Sequence, residues 1–233
     1  MELTEVQAYA ERGLDQRAQQ RLALLGDFIL GAGFNVTGVT DSREVERVHF
    51  LDSLSLLDLE CVSSAKRLAD LGSGAGLPAL VLALARPLMH VVAVESQRKK
   101  CAHIERAAEA LSLTNVEVRW ARAEEYGRNQ GREAHDVVVS RALAALPVVA
   151  ELSLPLLVEG GTMVAMKGAI SDQERIHAEA ALGILGSGSM EVVRLRPFQG
   201  AENRLAYLAR KTRPTPDRYP RRPGIPGKRP LGS

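Results

Sequence analysis

The sequence predicts an α/β fold in which a doubly wound, mostly parallel sheet follows a helical N-terminal extension. Three observations support this prediction. Apolar residues recur at helical spacing through the first third of the chain, short apolar runs then alternate with helical stretches, and a glycine-rich turn follows the first of those runs. With 233 residues, 45% of them hydrophobic and 25% charged, the chain is long enough for one main domain with attachments.

The first third of the chain has the pattern of amphipathic helices. Between Asp15 and Phe34, apolar residues recur at steps of three and four, and glycines then supply a stop signal. A second stretch with the same period begins after Ser42, whose hydroxyl suits the N-cap position. We therefore expect residues 1–64 to form a helical N-terminal extension.

The middle of the chain predicts parallel strands closed by an antiparallel hairpin. Buried strands are expected at residues 67–72, 90–95, 116–121, 136–141 and 162–168. Helices are expected at residues 77–85, 97–112, 146–157 and 171–185. This alternation implies right-handed crossovers and a parallel sheet covered on both faces. The apolar runs at 190–197 and 203–211 are too close for a helical crossover, so they should pair antiparallel at one edge, completing a main domain over residues 65–211.

Charge is unevenly distributed along the chain. The formal net charge of +2 argues by itself against a dedicated nucleic-acid binder. Residues 212–233, however, contain six of the eleven prolines, six Lys or Arg and a single acid, Asp217, so their net charge is +5. The remaining 24 cations and 27 anions leave residues 1–211 at −3. So many prolines should permit neither a helix nor a central strand, and we expect an extended basic tail.

Several classes of protein are disfavoured by composition. Cys61 and Cys101 form no CxxC pair, so neither a disulfide framework nor a zinc site is supported. The N-terminus is acidic and lacks an apolar signal segment, and the longest apolar run, Leu77 to Ala85, is too short to cross a bilayer. We therefore expect a cytoplasmic protein that binds no metal and no membrane.

The loop after the first predicted strand carries the strongest functional signal. Gly72, Gly74 and Gly76 follow Asp70 and precede a helix, so the backbone can turn tightly and approach a ligand beside the positive end of that helix. We expect a nucleotide-like cofactor. A dinucleotide fingerprint has the spacing GxGxxG, whereas the third glycine here comes one residue early. Glu95, at the end of the second strand, can accept the ribose hydroxyls of either kind of cofactor and does not discriminate between them.

Further strand ends should point into the same crevice, because ligands of open α/β sheets bind beyond the carboxyl ends of the strands. After the third strand, the amide of Ala123 and the side chain of Glu124 can read the edge of an adenine. Arg141, after the fourth strand, can pair with an acceptor on the substrate, and Lys167, at the end of the fifth, can meet an RNA phosphate or a guanine O6. The alternative for each charged residue is a surface ion pair, a cap or a solvated strand end.

Several motifs together resemble one family. They are LADLGSGAGLPAL at 68–80, RVHFLDSL at 47–54, NVTG at 35–38, VVVSRA at 137–142, MKG at 166–168 and YPRRPGIPGKRPL at 219–231. The D-x-G-x-G-x-G loop resembles motif I of the S-adenosylmethionine-dependent methyltransferases. Over nearly the whole chain, the set is similar to the bacterial small-subunit ribosomal RNA methyltransferase G family, also called glucose-inhibited division protein B.

The resemblance implies a Rossmann-like class I methyltransferase fold and a specific reaction. That reaction is transfer of a methyl group from S-adenosylmethionine to N7 of one guanine in the decoding region of 16S ribosomal RNA. Carried over position by position, the cofactor contacts fall on Gly72, Leu77, Ala123, Glu124 and Arg141. One departure is Ala79, where many members have glycine; it starts a helix, and we expect no functional consequence.

The implied chemistry needs no general base. Guanine N7 carries an in-plane lone pair, so alignment and charge placement suffice, and the strand-end residues include no His or Cys nucleophile. His49 and Asp52 lie one helical turn apart, and we interpret them as a hydrogen-bonded helix-packing network. No catalytic residue is therefore assigned.

The partner implied by the resemblance is 16S ribosomal RNA or the small ribosomal subunit. We expect RNA contacts from Lys167, Arg204 and the tail residues Arg221 and Arg222; a solvated, disordered tail is the alternative. The few aromatic residues favour a monomer. Two other functions stay open. The glycine spacing disfavours a NAD-dependent oxidoreductase, and the complete set of strand-end polar groups disfavours a non-catalytic RNA-binding ribosome-assembly factor.

Overall fold

The computed structural model describes residues 1–33 and 38–233 and is built around one seven-stranded sheet. Most of the NVTG motif, residues 35–37, lies outside the described residues. The strands are β1 (Arg67–Leu71), β2 (His90–Glu95), β3 (Val116–Trp120), β4 (His135–Arg141), β5 (Leu157–Lys167), β6 (Ser187–Arg194) and β7 (Leu205–Lys211).

The strand order β3-β2-β1-β4-β5-β7-β6 makes the sheet doubly wound. Strands β1 to β5 pair in parallel, whereas β7 runs antiparallel to both β5 and β6. The predicted fold class is confirmed, including the terminal hairpin, and β7 is the hairpin strand that adjoins β5. The strand order reverses between β1 and β4, which is where ligands of such sheets bind.

Helices cover both faces of this sheet. They are α1 (Val6–Glu11), α2 (Gln16–Leu30), α3 (Ser42–Val45), α4 (Asp52–Leu54), α5 (Glu60–Ser63), α6 (Ala79–Ala85), α7 (Arg98–Ala110), α8 (Ala123–Arg128), α9 (Leu146–Ser153), α10 (Asp172–Leu185) and α11 (Ile225–Lys228). A π-helical turn, Glu46–Leu51, joins α3 to α4, and a 3-10 turn, Ser55–Asp58, follows, so residues 42–58 form one continuous segment, the 42–58 helix. Within the described ranges, none of these helices combines the length and apolar character that crossing a membrane requires.

Three elements of the sheet region differ from the sequence prediction. Helix α8 lies where no helix is predicted, because its six residues, AEEYGR, are too few and too polar to show an apolar period. Strand β5 begins at Leu157 instead of residue 162. The helix predicted over 146–157 ends at Ser153, since a 3-10 turn containing Pro155 breaks it.

Alternate strand residues face two separate hydrophobic layers. Leu68 and Val139 face the layer that contains α6, α7 and the N-terminal helices, whereas Ala69 and Val138 face the layer that contains α9 and α10. The N-terminal helices therefore pack directly on the sheet. The division of the chain at residues 64 and 211 stays a prediction.

The expectation of an extended tail without a helix is wrong. Residues 212–233 pack on the face covered by α8 to α10, where Thr215 and Tyr219 are buried. The Arg132 guanidinium donates to the carbonyls of both residues, at 2.8 and 2.9 Å. The short α11 forms despite Pro226 because proline, which lacks an amide, is tolerated in the first helical turn. The tail thus belongs to the folded body.

Candidate active site

The loop of residues 72–76, between β1 and α6, turns through three left-handed glycines. Gly72, Gly74 and Gly76 have φ values of 73°, 58° and 88°. Gly76 has a packing role, because a Cβ there would lie 2.6 Å from Leu80 Cδ1. A Cβ on Gly74 would meet nothing closer than the Gly72 carbonyl at 3.8 Å, so this part of the loop leaves space for a ligand. We call that space the glycine-loop crevice.

Glu95 holds this loop to the end of β2. Its carboxylate accepts hydrogen bonds from the amides of Gly74, at 3.0 Å, and Gln97, at 2.8 Å, and the side chain is almost fully buried. The Ser96 hydroxyl also donates to Oε1, at 3.4 Å, so Oε2, which accepts only from Gly74, is the oxygen that keeps a free lone pair. The acid is therefore oriented beside the crevice, as ribose recognition requires.

The other predicted cofactor contacts have different positions and roles: Ala123 and Glu124 follow β3, Leu77 follows the loop, and Arg141 lies at the end of β4 beside Asp52. Ala123 and Glu124 begin α8, so their amides precede the hydrogen-bonded part of that helix. The Glu124 side chain accepts from the Gly224 amide at 2.9 Å and thereby anchors the tail beside the third strand. Leu77 is buried in the core, and its amide donates to the Ser73 carbonyl at 3.0 Å. Its side chain therefore supports the loop from below.

A cluster of charged side chains forms where β4, β7 and the 42–58 helix meet. Arg141 Nη1 donates to the Val48 carbonyl at 3.1 Å and lies 3.6 Å from Asp52 Oδ2. Arg204 Nε lies 3.1 Å from Asp52 Oδ1 on the other side. The interpretation of Asp52 as part of a network between helices is therefore wrong, since both of its cationic partners come from the strand ends. One carboxylate thus faces two guanidinium groups.

Burial sets the protonation of the groups in this cluster. It raises the pKa of Asp52, and the nearby Arg141 and Arg204 oppose that rise. The pKa of His49 falls to about 4, first because of burial and then because of Arg141, whose Nη2 lies 3.4 Å from His49 Nδ1. His49 is consequently neutral at physiological pH.

A cavity of about 630 Å³ opens beside the cluster at the carboxyl ends of β4 and β5. Its lining comprises Val48, His49, Asp52, Arg141, Ala142, Leu143, Ala144, Met166, Lys167, Gly168, Leu195, Asn203, Arg204 and Leu205. We call it the strand-end cavity. Lys167 is held at its edge by the Glu174 carboxylate and the Ala144 carbonyl, each 3.2 Å from Nζ.

Leu143 separates the strand-end cavity from the glycine-loop crevice. Its side chain lines the cavity and also covers Gly72, so closely that a Cβ on Gly72 would lie 2.7 Å from Leu143 Cδ1. The preceding Ala142 has a left-handed φ of 51°, which is unusual for a residue with a side chain. The two spaces therefore share one thin apolar wall.

The glycine-loop crevice fits S-adenosylmethionine, the cofactor that the motifs imply. The backbone at Gly74 permits close approach, whereas Leu143 covers Gly72, and the Glu95 carboxylate lies beside the loop as an acceptor that a ribose could use. Asp70 lies below the loop, and its Oδ1 is buried without a hydrogen-bond partner in the described part of the chain. Burial raises the Asp70 pKa to about 6, because the buried carboxylate is poorly solvated.

The two predicted tail contacts to RNA lie in contrasting surroundings. Arg221 donates from its amide and Nε to Glu151 Oε1, both at 2.8 Å, and Glu151 is fully buried. Arg222 is exposed, and its side chain has no hydrogen bond or ion pair to any residue of 1–33 or 38–233. Arg221 therefore fastens the tail to α9, whereas Arg222 faces solvent.

The sequence prediction missed the importance of Asp52 and Leu143. Asp52 lies inside the RVHFLDSL motif, so the motif pointed to the right segment, but the partners of its carboxylate are 89 and 152 positions away along the chain. Leu143 follows the VVVSRA motif and carries no chemical signal of its own. Only the folded structure shows that it contacts the glycine loop.

Comparison with known proteins identifies the family. Residues 19–199 match the GidB family model, described as rRNA small subunit methyltransferase G. The chain is 42% identical over 198 residues to the ribosomal RNA small subunit methyltransferase G of Moorella thermoacetica, covering 84% of this chain and 82% of that protein. The protein of the same name from Lacticaseibacillus paracasei is 37% identical over 235 residues, covering 97% of both chains.

Solved structures agree on the fold. A SAM-dependent O-methyltransferase from Thermotoga maritima superposes with a TM-score of 0.54 at 17% identity, covering 82% of this chain and 72% of that one. A tRNA (m1A58) methyltransferase from Aquifex aeolicus gives a TM-score of 0.51 at 17% identity, covering 81% of this chain and 76% of that one. The chain therefore belongs to the rRNA small subunit methyltransferase G (GidB) family of S-adenosylmethionine-dependent enzymes.

Proposed function

We propose that this chain transfers the methyl group of S-adenosylmethionine to N7 of a guanine in 16S ribosomal RNA. The observation that carries the proposal is that two spaces meet at Leu143. The glycine-loop crevice fits the cofactor, and the strand-end cavity of about 630 Å³ is large enough for a purine base. Two reactants on either side of one thin wall need only a small side-chain movement to come into contact.

The residues of the site hold and align the reactants and remove no proton. When bound, S-adenosylmethionine supplies an electrophilic methyl group, which the N7 lone pair can take up as the carbon–sulfur bond breaks and the positive charge moves to the base. Glu95 and the open backbone at Gly74 hold the cofactor end, while Arg141 and Lys167 shape the cavity end. Neutral His49 adds no further positive charge near a base that becomes cationic.

We infer that the RNA strand lies across the mouth of the strand-end cavity. Lys167 and Arg204 line that cavity, and Arg222 is exposed on the tail. A second cavity of about 940 Å³, lined by Arg47, Arg194 and Arg196, adjoins it across the segment 195–205. Lys167, Arg222 and the arginines of the second cavity are the cations that we assign to RNA phosphates, whereas Arg221 is packed against Glu151.

The partner we propose is the small ribosomal subunit or its 16S RNA, met in the cytoplasm by a single copy of the chain. The few aromatic residues, four Phe, four Tyr and one Trp, leave few anchors for an interface between copies, which supports action as a monomer. We assign N7 as the acceptor atom because the family chemistry implies it and because methylation at N7 requires no general base.

Methyl transfer to isolated subunits tests the proposal. The full chain is incubated with labelled S-adenosylmethionine and small subunits from cells that lack this modification, and 7-methylguanine is located by cleavage at the modified base and by mass spectrometry. We expect one 7-methylguanine in 16S RNA, and Arg141→Ala should lose transfer while keeping its circular dichroism spectrum. Label at another atom, or none, would contradict the proposal.

A binding titration separates the two alternative functions. The proposed enzyme should bind S-adenosylmethionine and not NADH by calorimetry. Binding of NADH alone would indicate the oxidoreductase, and RNA binding without methyl transfer would indicate an assembly factor.

A further inference from the structure

Asp52 is a buried carboxylate whose bonding is incomplete. Its side chain is 7% exposed and lines the strand-end cavity between Arg141 and Arg204. Arg141 Nη1 is 3.6 Å from Oδ2, beyond hydrogen-bond distance. Arg204 Nε is 3.1 Å from Oδ1, but the two atoms are poorly aligned, and both are buried without a hydrogen bond among the described residues. Buried polar atoms in this state call for an explanation.

A ligand with two adjacent donors would complete the bonding of this carboxylate. The Watson–Crick edge of guanine presents the N1 hydrogen and the N2 amino group side by side, which matches two carboxylate oxygens. Adenine has no hydrogen on N1 and would place a lone pair against the negative charge. Among purines, the Asp52 carboxylate therefore fits guanine.

The position of Asp52 also agrees with attack from N7. Asp52 lies on the 42–58 helix, whereas Leu143, which adjoins the glycine loop, lies on the wall formed by the β4–α9 connection. The N7 atom is on the far side of the purine from N1 and N2. A guanine held at Asp52 by its Watson–Crick edge can therefore present N7 to the cofactor side.

We propose that Asp52 is the residue that selects guanine, by accepting hydrogen bonds from N1 and the N2 amino group of the target base. The assignment rests on the proposed function and names its base-specificity determinant. Arg204, whose side chain is 40% exposed, has room to turn away from Oδ1 as the base enters, and Arg141 remains to balance the carboxylate charge. The freed Arg204 guanidinium then offers donors to the guanine O6.

Inosine, which lacks only the N2 amino group, provides the test. Small subunits are assembled from ligated 16S RNA with guanosine or inosine at the target, and kcat/KM for methyl transfer is measured with the full chain. The wild-type enzyme should prefer guanosine by roughly 10- to 100-fold, the range expected for a lost hydrogen bond to a charged group. In Asp52→Ala this preference should fall to about one, because both accepting oxygens are gone.

Asp58→Ala is the matched control. Asp58 lies on the same helical segment and also pairs with an arginine, Arg12, at 3.3 Å, but it does not line the strand-end cavity. This variant should keep the full guanosine preference.

Two results would overturn the assignment. One is equal use of guanosine and inosine by the wild-type enzyme, which needs no variant and so holds even if Asp52→Ala does not fold. The other is an Asp52→Ala enzyme that is slower on both substrates with an unchanged ratio, which would make Asp52 a residue that only positions arginines. If the wild-type enzyme methylates neither subunit, the proposed function itself fails.

Discussion

Arg221 is a sharp test of whether the basic tail serves the fold or the RNA. Its guanidinium and amide together make four hydrogen bonds to Glu151, of which three come from the side chain and have lengths of 2.8, 3.1 and 2.5 Å. Glu151 is fully buried and Arg221 is 25% exposed, so replacing Arg221 by alanine leaves a carboxylate in the core with one amide donor.

The expected loss of stability follows from that geometry. Removing one partner of a buried ion pair costs about 3–5 kcal/mol, and the remaining amide donor puts Arg221→Ala near the lower end, at about 3 kcal/mol. The free energy of unfolding is measured by urea denaturation at neutral pH. Adding Glu151→Gln to the variant should recover part of the loss, because a neutral amide costs less to bury than a charge.

Arg222→Ala is the neighbouring control, because that exposed side chain has no partner among the described residues. The free energy of unfolding of this variant should stay within about 0.5 kcal/mol of the wild-type value. An Arg221→Ala protein of wild-type stability would refute the structural role. A decrease of about 0.7 in the salt slope of RNA binding, without a loss of stability, would instead assign Arg221 to an RNA phosphate.

Three further changes probe the site. Asp70→Asn should raise the free energy of unfolding by up to about 3 kcal/mol above pH 6, because burial raises the carboxyl pKa from 3.8 to about 6 and so penalises the carboxylate. In urea titrations this gain in stability should vanish as the pH falls to about 4, where the carboxyl is protonated. A gain that is independent of pH would contradict this cause. Gly72→Ala should lower the affinity for S-adenosylmethionine at least tenfold, as measured by calorimetry, because the left-handed backbone of Gly72 and the nearby Leu143 leave no room for a Cβ. An unchanged affinity would show that the loop does not contact the cofactor. Arg196→Ala should lower the salt slope of RNA binding by about 0.7 while cofactor affinity stays unchanged, and an unchanged slope would place the RNA elsewhere.

The parts of the fold that sequence predicts are those encoded in local patterns. Strands such as β2 and β4 are continuous apolar runs, and their burial on both faces is what a parallel sheet requires. Helix α8 has no such pattern and is held by neighbours that are distant in sequence, such as Gly224, whose amide bonds Glu124. The glycine loop and Glu95 are likewise predictable because backbone geometry and strand ends determine their position.

The charged cluster shows why the rest of the site was not predictable. Nothing near Asp52 in sequence indicates that Arg141 and Arg204 converge on it from two strand ends. The tail was mispredicted for the same reason. Its proline and arginine content is typical of an extended segment, yet Glu151 binds Arg221 and Arg132 binds tail carbonyls, and these contacts fix the tail to the body. Composition describes what a segment can do alone, and long-range partners decide what it does.

The strand order has a consequence for how the protein is made. Among residues 1–33 and 38–233, strand β6 pairs only with β7, and β7 also covers the edge of β5, yet β7 leaves the ribosome after both. A nascent chain that has emerged as far as Arg204 therefore exposes one open sheet edge and one strand without a partner, and such edges promote aggregation. A stop codon late in the message would consequently yield insoluble protein. Synthesis of the final strand and the tail is therefore the step that closes the sheet.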